Sequence, residues 1–371
     1  MLTHLNGTEG NTVANSSKSF KSSETRNPNC PSGNLNMADT QHPIENPAPN
    51  STPRREMLLN LLRAGGLSAS AAAAAVWLHG RSHRPQDEAP LTLARSFTVP
   101  ADASYPEMVV AQGEDPRAMV RKALEGLGGI RRFISRGDVV VVKPNIAWDR
   151  TPEQAANTNP LAIAEMVWQC LDAGAKKVIV TDVSCNEPHR CFERSGIARA
   201  ASNEGAEVVL PEENLFRQVN LRGDVLGEWP VLEPFIAADK MINFPVAKSH
   251  SLTGVTLGMK NWYGILGGAR NRLHQRIHES LADLADVMRP TLTLIDAYRV
   301  LIRNGPTGGS LADVLLKKTL VAGTDPVALD AYVAKAYWNI EPSQLRYLKL
   351  AQDRGLGRMD FANVRTEVVT A

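Results

Sequence analysis

Cysteine is scarce in this chain, with four in 371 residues, at positions 30, 170, 185 and 191, and none in a C-x-x-C pair. That number is too small for a disulfide-built scaffold of this size, and the spacing excludes the cysteine runs of ferredoxin-type clusters. Long apolar runs are also missing. No stretch reaches the roughly 18 residues of a membrane-spanning helix, and the mean hydropathy is -0.21, which together exclude a polytopic membrane protein. Neither sign of charge dominates, because 41 basic residues face 39 acidic ones for a net charge of +2. A nucleic-acid partner would need a basic footprint, and none is present. The G-x-G-x-x-G fingerprint and the Walker lysine loop are absent too, which removes the commonest nucleotide-binding motifs.

What is present divides the chain unevenly. Residues 1–53 hold nine Asn and seven Ser, one aromatic residue (Phe20), and no apolar periodicity. Such a segment buries too little surface to offset its ordering entropy and reads as disordered. Thr52-Pro53-Arg54-Arg55-Glu56-Met57-Leu58-Leu59 then leads into a weakly apolar run from Ala64 to Leu78. Paired arginines before such a run resemble a twin-arginine export signal, assigned to residues 54–80. Several Ala-x-Ala triplets precede Val76-Trp77-Leu78, so cleavage and retention as a membrane anchor both stay open. The competing reading is an Ala-rich surface helix, favoured by Arg63 interrupting the run.

Residues 81–371 alternate short β-branched runs with helical stretches, the pattern of an α/β domain. Strands are expected at Val139–Val142, Lys177–Thr181, Glu207–Leu210, Lys240–Phe244, Leu292–Ile295 and Thr319–Ala322. Helices are expected at Leu161–Ala173, Arg190–Asn203, Arg276–Met288 and Pro326–Tyr337. Asn159 and Pro160 supply an N-cap and a first helical position, and Gly174 a stop. The expected architecture is a mostly parallel sheet flanked by helices, with a second α/β lobe around a cleft beginning near Ala237.

In such sheets ligands sit beyond the carboxyl ends of the strands. Lys143 and Asn145 follow one expected strand, Asp182 the next, Lys248 and His250 a third, and Asp296 a fourth. Lysine pairs with phosphate or carboxylate and loses its proton readily when desolvated, so Lys143 and Lys248 could clamp an anion or supply a base or nucleophile. His250 is a candidate acid or base. The helix start at Asn159 offers unpaired N–H groups to the same anion.

A further cluster, Thr253 to Gly264, places Thr256 and Lys260 four apart, as on one helical face, with Asn261 beside them. Gly264, Gly267 and Gly268 allow close backbone approach; the bland alternative is a packed helix ending in a glycine turn. His274 and His278 have the i, i+4 spacing of a metal pair, against a plain surface reading. Cys185, His189 and Cys191 could bind zinc, form a disulfide after export, or be ordinary thiols on a loop.

Taken together, Val141-Val142-Lys143-Pro144-Asn145, Asn159-Pro160, Gly174 to Asp182, Lys248-Ser249-His250-Ser251-Leu252-Thr253-Gly254, Met259-Lys260-Asn261-Trp262-Tyr263-Gly264, Asp296-Ala297 and Thr324-Asp325-Pro326 resemble the domain of unknown function 362 family. The resemblance spans roughly Glu107 to Gly357. It implies that Lys143, Asn145, Asp182, Lys248, His250, Thr256, Lys260, Asn261, Asp296, Asp325 and Asp330 are the family's polar positions. Asp325 also has a local explanation as an N-cap. Some members carry ferredoxin-like cysteine clusters; the spacing here does not, so no iron–sulfur cluster is carried over.

Two functions follow as expectations. One is an exported enzyme whose cleft binds a small anionic substrate or cofactor through Lys143, Lys248 and Lys260, with a metal or metal-organic cofactor as one form of that ligand. Nickel-pincer lactate racemases, which also place lysine and histidine in an α/β cleft, are a fold-level analogy for it. The other is a non-catalytic, redox-accessory protein presenting a bound cofactor to an exported oxidoreductase. Either would sit in the periplasm or on the outer face of the inner membrane after meeting the twin-arginine export machinery. The export reading predicts product in the exported fraction that disappears when Arg54 and Arg55 are both changed to lysine; fractionation followed by blotting checks it, and cytosolic full-length product would contradict it.

Overall fold

The computed structural model describes residues 90–93 and 96–371. The expected disordered segment 1–53 and the twin-arginine segment 54–80 lie outside the described residues. The chain divides into two units, Met1–Arg84 and Pro85–Ala371, and only the second contains described residues. Among these, no helix is long and apolar enough to cross a membrane.

The strands are β1 (Leu91–Thr92), β2 (Met108–Gln112), β3 (Val139–Pro144), β4 (Lys177–Val180), β5 (Glu207–Val208), β6 (Phe216–Asn220), β7 (Glu228–Leu232), β8 (Lys240–Phe244), β9 (Val246–His250), β10 (Gly254–Thr256), β11 (Leu292–Leu301), β12 (Val314–Gly323) and β13 (Thr366–Thr370). Ten of them form one sheet with the spatial path β13-β2-β12-β11-β8-β3-β4-β5, to which β9 attaches beside β11 and β10 beside β9. A small sheet joins β1, β6 and β7.

Alternation along each strand sorts the core into two layers. Val140 and Val142 of β3 pack with Met119 and Val120 of the helix Pro116–Gly126 and with Ile163, Met166 and Val167 of the helix Pro160–Asp172. Val141 points the other way, into the layer holding Leu281 and Leu284 of the helix Ile277–Val287 and Val333 of the helix Pro326–Trp338. With both faces covered, β3 reads as an unbroken Val run, as buried parallel strands do.

Strands β11, β8, β3, β4 and β5 are mutually parallel, but the expectation of a parallel strand at Thr319–Ala322 fails. β12 is antiparallel to both its neighbours, β11 and β2. The reason is the connection: only a turn and a short 3-10 segment (Leu311–Asp313) separate β11 from β12, and without a crossover helix the chain returns as a hairpin. The sheet is therefore mixed. A separate lobe from Ala237 is corrected as well, because β8 inserts between β3 and β11 in the same sheet. The expected helix Arg190–Asn203 is two helices, Pro188–Arg194 and Ile197–Asn203, broken at Gly196, whose φ of 74° is the left-handed conformation that glycine tolerates.

Two carboxylates, the half-buried Asp325 and the buried Asp330, position the elements that reach the site. Asp325 caps the helix Pro326–Trp338, accepting from the N–H groups of Val327 (2.9 Å) and Ala328 (3.0 Å), as its place before Pro326 implies. From the same helix Asp330 accepts from Gly258 (2.7 Å) and Met259 (3.0 Å), the opening N–H groups of the short helix Gly258–Asn261. Burial pushes the Asp330 carboxyl up to about 7, opposed by those two donors. Asp330→Ala leaves both donors buried without an acceptor and should lower stability by about 1–3 kcal/mol, whereas Asp330→Asn, which keeps one carbonyl oxygen, should cost less. Urea midpoints of the two variants check this ordering.

Candidate functional site

The Val run of β3 ends in Lys143, which alternation places on the same face as Val141. Lys143 as a residue has 0% relative exposure, a position where an ammonium needs immediate compensation. Asp182, just beyond β4, supplies it: Asp182 Oδ1 lies 2.7 Å from Lys143 Nζ. The other carboxylate oxygen accepts from the Ile146 N–H at 2.6 Å. Burial drives the Lys143 pKa down, and Asp182 opposes that shift.

The Asn261 carboxamide ties this pair to its surroundings. Its Oδ1 accepts from Lys143 Nζ and from Asn145 Nδ2, each at 3.0 Å, while its Nδ2 donates to the Lys143 carbonyl at 3.2 Å and to Asn243 Oδ1 at 2.8 Å. Asn243 is the register partner of Lys143 on β8, and its Nδ2 donates to the Gly258 carbonyl at 2.9 Å. Gly264 passes directly over the ion pair. A Cβ there would overlap Asp182 Oδ1 and come within 2.6 Å of Lys143 Nζ, so the close approach that this glycine permits is to the buried pair.

Lys248, on β9, is the second buried lysine. Its Nζ donates to the Ala156 carbonyl at 2.6 Å and to Asn145 Oδ1 at 2.9 Å. Burial pushes its pKa down to about 7, with Lys260 and Lys143 adding repulsion against the opposing pull of Cys185 and Asp182. Lys260 lies 3.8 Å from the centroid of the Tyr263 ring, and burial lowers it to about 8, with Arg270 and Lys143 in the same direction against Cys185. Arg270 donates through one nitrogen to the Val183 carbonyl at 2.7 Å and through the other to the Ser184 carbonyl and, at 3.7 Å, to Cys185 Sγ.

His250 is held neutral. Its Nδ1 accepts from the N–H groups of Leu252 (3.1 Å) and Thr253 (3.4 Å), which leaves the proton on Nε2. Burial and the charges of Lys260 and Lys248 push its pKa down to about 3. The expected acid or base is thus arranged as a hydrogen-bond donor, because its basic nitrogen is already occupied.

These side chains line one cavity of about 460 Å³. Lys143, Lys248, Lys260 and Arg270 meet a single carboxylate there, Asp182. Two lining hydroxyls, Thr256 Oγ1 and Tyr263 Oη, are buried and have no hydrogen-bond partner, so each has bonding capacity to give a ligand.

Of the residues expected from sequence, the cavity brings together Lys143, Asn145, Asp182, Lys248, His250, Thr256, Lys260, Asn261 and His274. Thr256 and Lys260 reach it from different elements, β10 and the helix Gly258–Asn261, and not from one helical face. Asn159 and Asp296 lie outside its lining and satisfy each other: Asn159 N–H donates to Asp296 Oδ2 at 2.8 Å, and Asn159 Oδ1 caps Leu161. The anion at that helix start is therefore the chain's own Asp296, which lies inside β11, with its carboxyl raised to about 6 by burial.

The two histidines expected as a metal pair sit on different elements: His274 belongs to the 3-10 segment Arg270–Arg276 and stacks on Tyr263 at 5.6 Å, while His278 follows Ile277 at the start of the next helix and stacks on Tyr347 at 6.3 Å. Nor do Cys185, His189 and Cys191 assemble. Cys185 is an exposed free thiol and Cys191 a buried one. No group of three or more His, Cys, Asp or Glu able to hold a metal ion occurs among the described residues.

Arg270, Asn243 and Tyr263 were not singled out from sequence as site residues. Arg270 carries no local signal, since its placement depends on the loop after Gly267 and Gly268 folding back over Val183. Asn243 had one: an amide inside an otherwise apolar strand needs a buried partner.

Fold and site together define a mixed α/β protein with a lysine-lined cavity beyond the ends of its central parallel strands. The chain belongs to the family described as Domain of unknown function (DUF362), whose model matches residues 140–335. It is 26% identical over 254 residues to the thylakoid-associated protein sll1697 of Synechocystis sp., covering 64% of this chain and 75% of that relative. Among solved structures, it overlaps the lactate racemase apoprotein of Thermoanaerobacterium thermosaccharolyticum with a TM-score of 0.37 at 14% identity, spanning 62% of this chain and 57% of that one. A Thermotoga maritima protein overlaps with a TM-score of 0.35 at 15% identity, over 65% of this chain and 60% of that one.

Because Lys143 is enclosed, Asp182→Ala leaves an uncompensated buried cation and should cost about 3–5 kcal/mol. Removing both charges in the double variant with Lys143→Met should recover part of that loss. A double-mutant cycle measured by urea unfolding checks it, and additive losses would contradict a coupled pair.

Proposed function

We propose that this protein is an enzyme that holds a small, multiply charged organic or inorganic anion in the lysine-lined cavity and moves a proton at Lys248 Nζ. The observation that carries the reading is the charge count of the cavity, four cations against Asp182 alone. An arriving anion would offset the burial, and with it the cationic repulsion, that lowers Lys248 and Lys260, and buried charge-assisted hydrogen bonds are among the stronger polar contacts available.

Each group has a distinct part. Lys143 stays paired with Asp182 and sets the field. Lys260 and Arg270 bind the anion directly, and His250 donates from Nε2. Lys248, poised at about 7, exchanges a proton near neutral pH, where acid–base groups work best. The cavity does not suit a bare divalent metal ion, since its lysines repel cations and His250 Nδ1 is engaged by the backbone. A metal-organic cofactor would be held by its carboxylate or phosphate groups. Export through the twin-arginine route is part of the proposal and rests on the arginine pair at residues 54 and 55.

Calorimetry with oxalate and with inorganic phosphate tests the pocket. Affinity should be highest below about pH 7 and weaken as pH rises through 7 to 8, because Lys248 and then Lys260 lose their charges in that window. Lys260→Ala should weaken binding by about 1.5–3 kcal/mol, roughly one to two orders of magnitude. Absence of binding by either anion, or binding indifferent to pH across this range, would overturn the proposal.

A further inference from the structure

Resting on the anion-pocket reading, the geometry points to a more specific chemistry: we propose that Lys248 is a nucleophile that forms an imine with the carbonyl carbon of an anionic aldehyde or keto acid. The argument begins with how its nitrogen is used. A neutral amine has two N–H bonds and one lone pair. Lys248 Nζ has two acceptors, the Ala156 carbonyl and Asn145 Oδ1, so both hydrogens are directed at them and the lone pair takes the remaining tetrahedral direction. The side chain lines the cavity, and it forms no ion pair with any described carboxylate. A desolvated lysine among other cations is the arrangement that activates an amine for carbonyl attack.

The other two lysines are unsuited to this role. Lys143 is committed to Asp182 at 2.7 Å and to Asn261, which favours its ammonium form. Lys260 sits over the face of Tyr263, where the ring quadrupole also favours the cation. Lys260 is instead placed to protonate an oxygen in the cavity. Depression of Lys248 to about 7 leaves a large fraction of free amine at neutral pH.

The step balances without an oxidant. The Nζ lone pair attacks the carbonyl carbon, a C–N bond forms, and the carbonyl oxygen takes a proton from Lys260 to give a carbinolamine. The nitrogen then expels that oxygen as water, whose second hydrogen comes from the amine. A protonated C=N bond to Lys248 remains. The substrate carboxylate would be held by Arg270 and the His250 Nε2 hydrogen, and the unpartnered hydroxyls of Thr256 and Tyr263 offer donors to further oxygens. The class is therefore small acids carrying an aldehyde or ketone.

Incubating the full-length protein with glyoxylate and sodium cyanoborohydride, followed by intact mass and peptide mapping, tests this. One carboxymethyl group should appear on Lys248, at a rate that rises with pH through about 7 and then levels, whereas surface lysines continue to gain reactivity at higher pH. Lys248→Arg should abolish that label, and excess oxalate should suppress it in the wild-type protein. Labelling confined to other lysines, in protein that still binds oxalate, would overturn the imine and leave the anion pocket standing. Failure to bind oxalate at all would overturn the pocket reading itself.

Discussion

An ammonium with no exposed surface at Lys143 has to be neutralised inside the fold, and much of the site is organised around doing so. The Asp182 carboxylate must follow β4 at the level where Lys143 ends its strand, which the parallel pairing of β3 with β4 provides. Gly264 must have no side chain, because its backbone crosses the pair. Asn261 must sit where its carboxamide reaches Lys143, Asn145 and Asn243 together, which in turn requires Asp330 to anchor the start of the short helix carrying it. The pair is thus a geometric constraint shared by β3, β4, β8 and two helices.

Its electrostatic consequence reaches beyond its own two residues. With Asp182 committed to Lys143, the remaining cations of the cavity have no carboxylate of their own, and burial outweighs the opposing pull of Cys185 and Asp182. Lys248 and Lys260 fall to about 7 and 8, and His250 to about 3. The same desolvation therefore yields a graded set: a lysine paired with a carboxylate at Lys143, two lysines that titrate near neutrality, and a neutral imidazole that donates. On the proposed reading, an arriving anion would offset the cost of burying these cations.

The lysine-lined edge was legible in the sequence because strands β3, β4 and β8 are buried on both faces and announce themselves as apolar runs, so polar residues immediately after them stand out. Lys143 and Asp182 stand out this way, whereas Lys248 lies four residues beyond β8, inside β9. Asp296 was misplaced because β11 runs six residues past the last apolar position of Leu292–Ile295, and strand length is set by its pairing with β12, a long-range contact. The direction of β12 was missed for the same reason: a hairpin and a crossover differ in the connection, not in the strand. His274 and His278 kept helical spacing in sequence but not in space, since the helix begins only at Ile277. Arg270 reaches the cavity from the start of the 3-10 segment Arg270–Arg276, placed by a preceding loop whose path depends on tertiary contacts.

On the proposed reading, burial withholds protons from Lys248 and Lys260 until an anion restores them. Proton uptake on binding measures this directly. Calorimetric titration with oxalate at about pH 8, repeated in buffers of different ionisation enthalpy, should show net uptake of protons by the protein, because the anion raises both lysines back toward their ordinary range. Oxalate binding with no proton exchange at that pH would contradict the account.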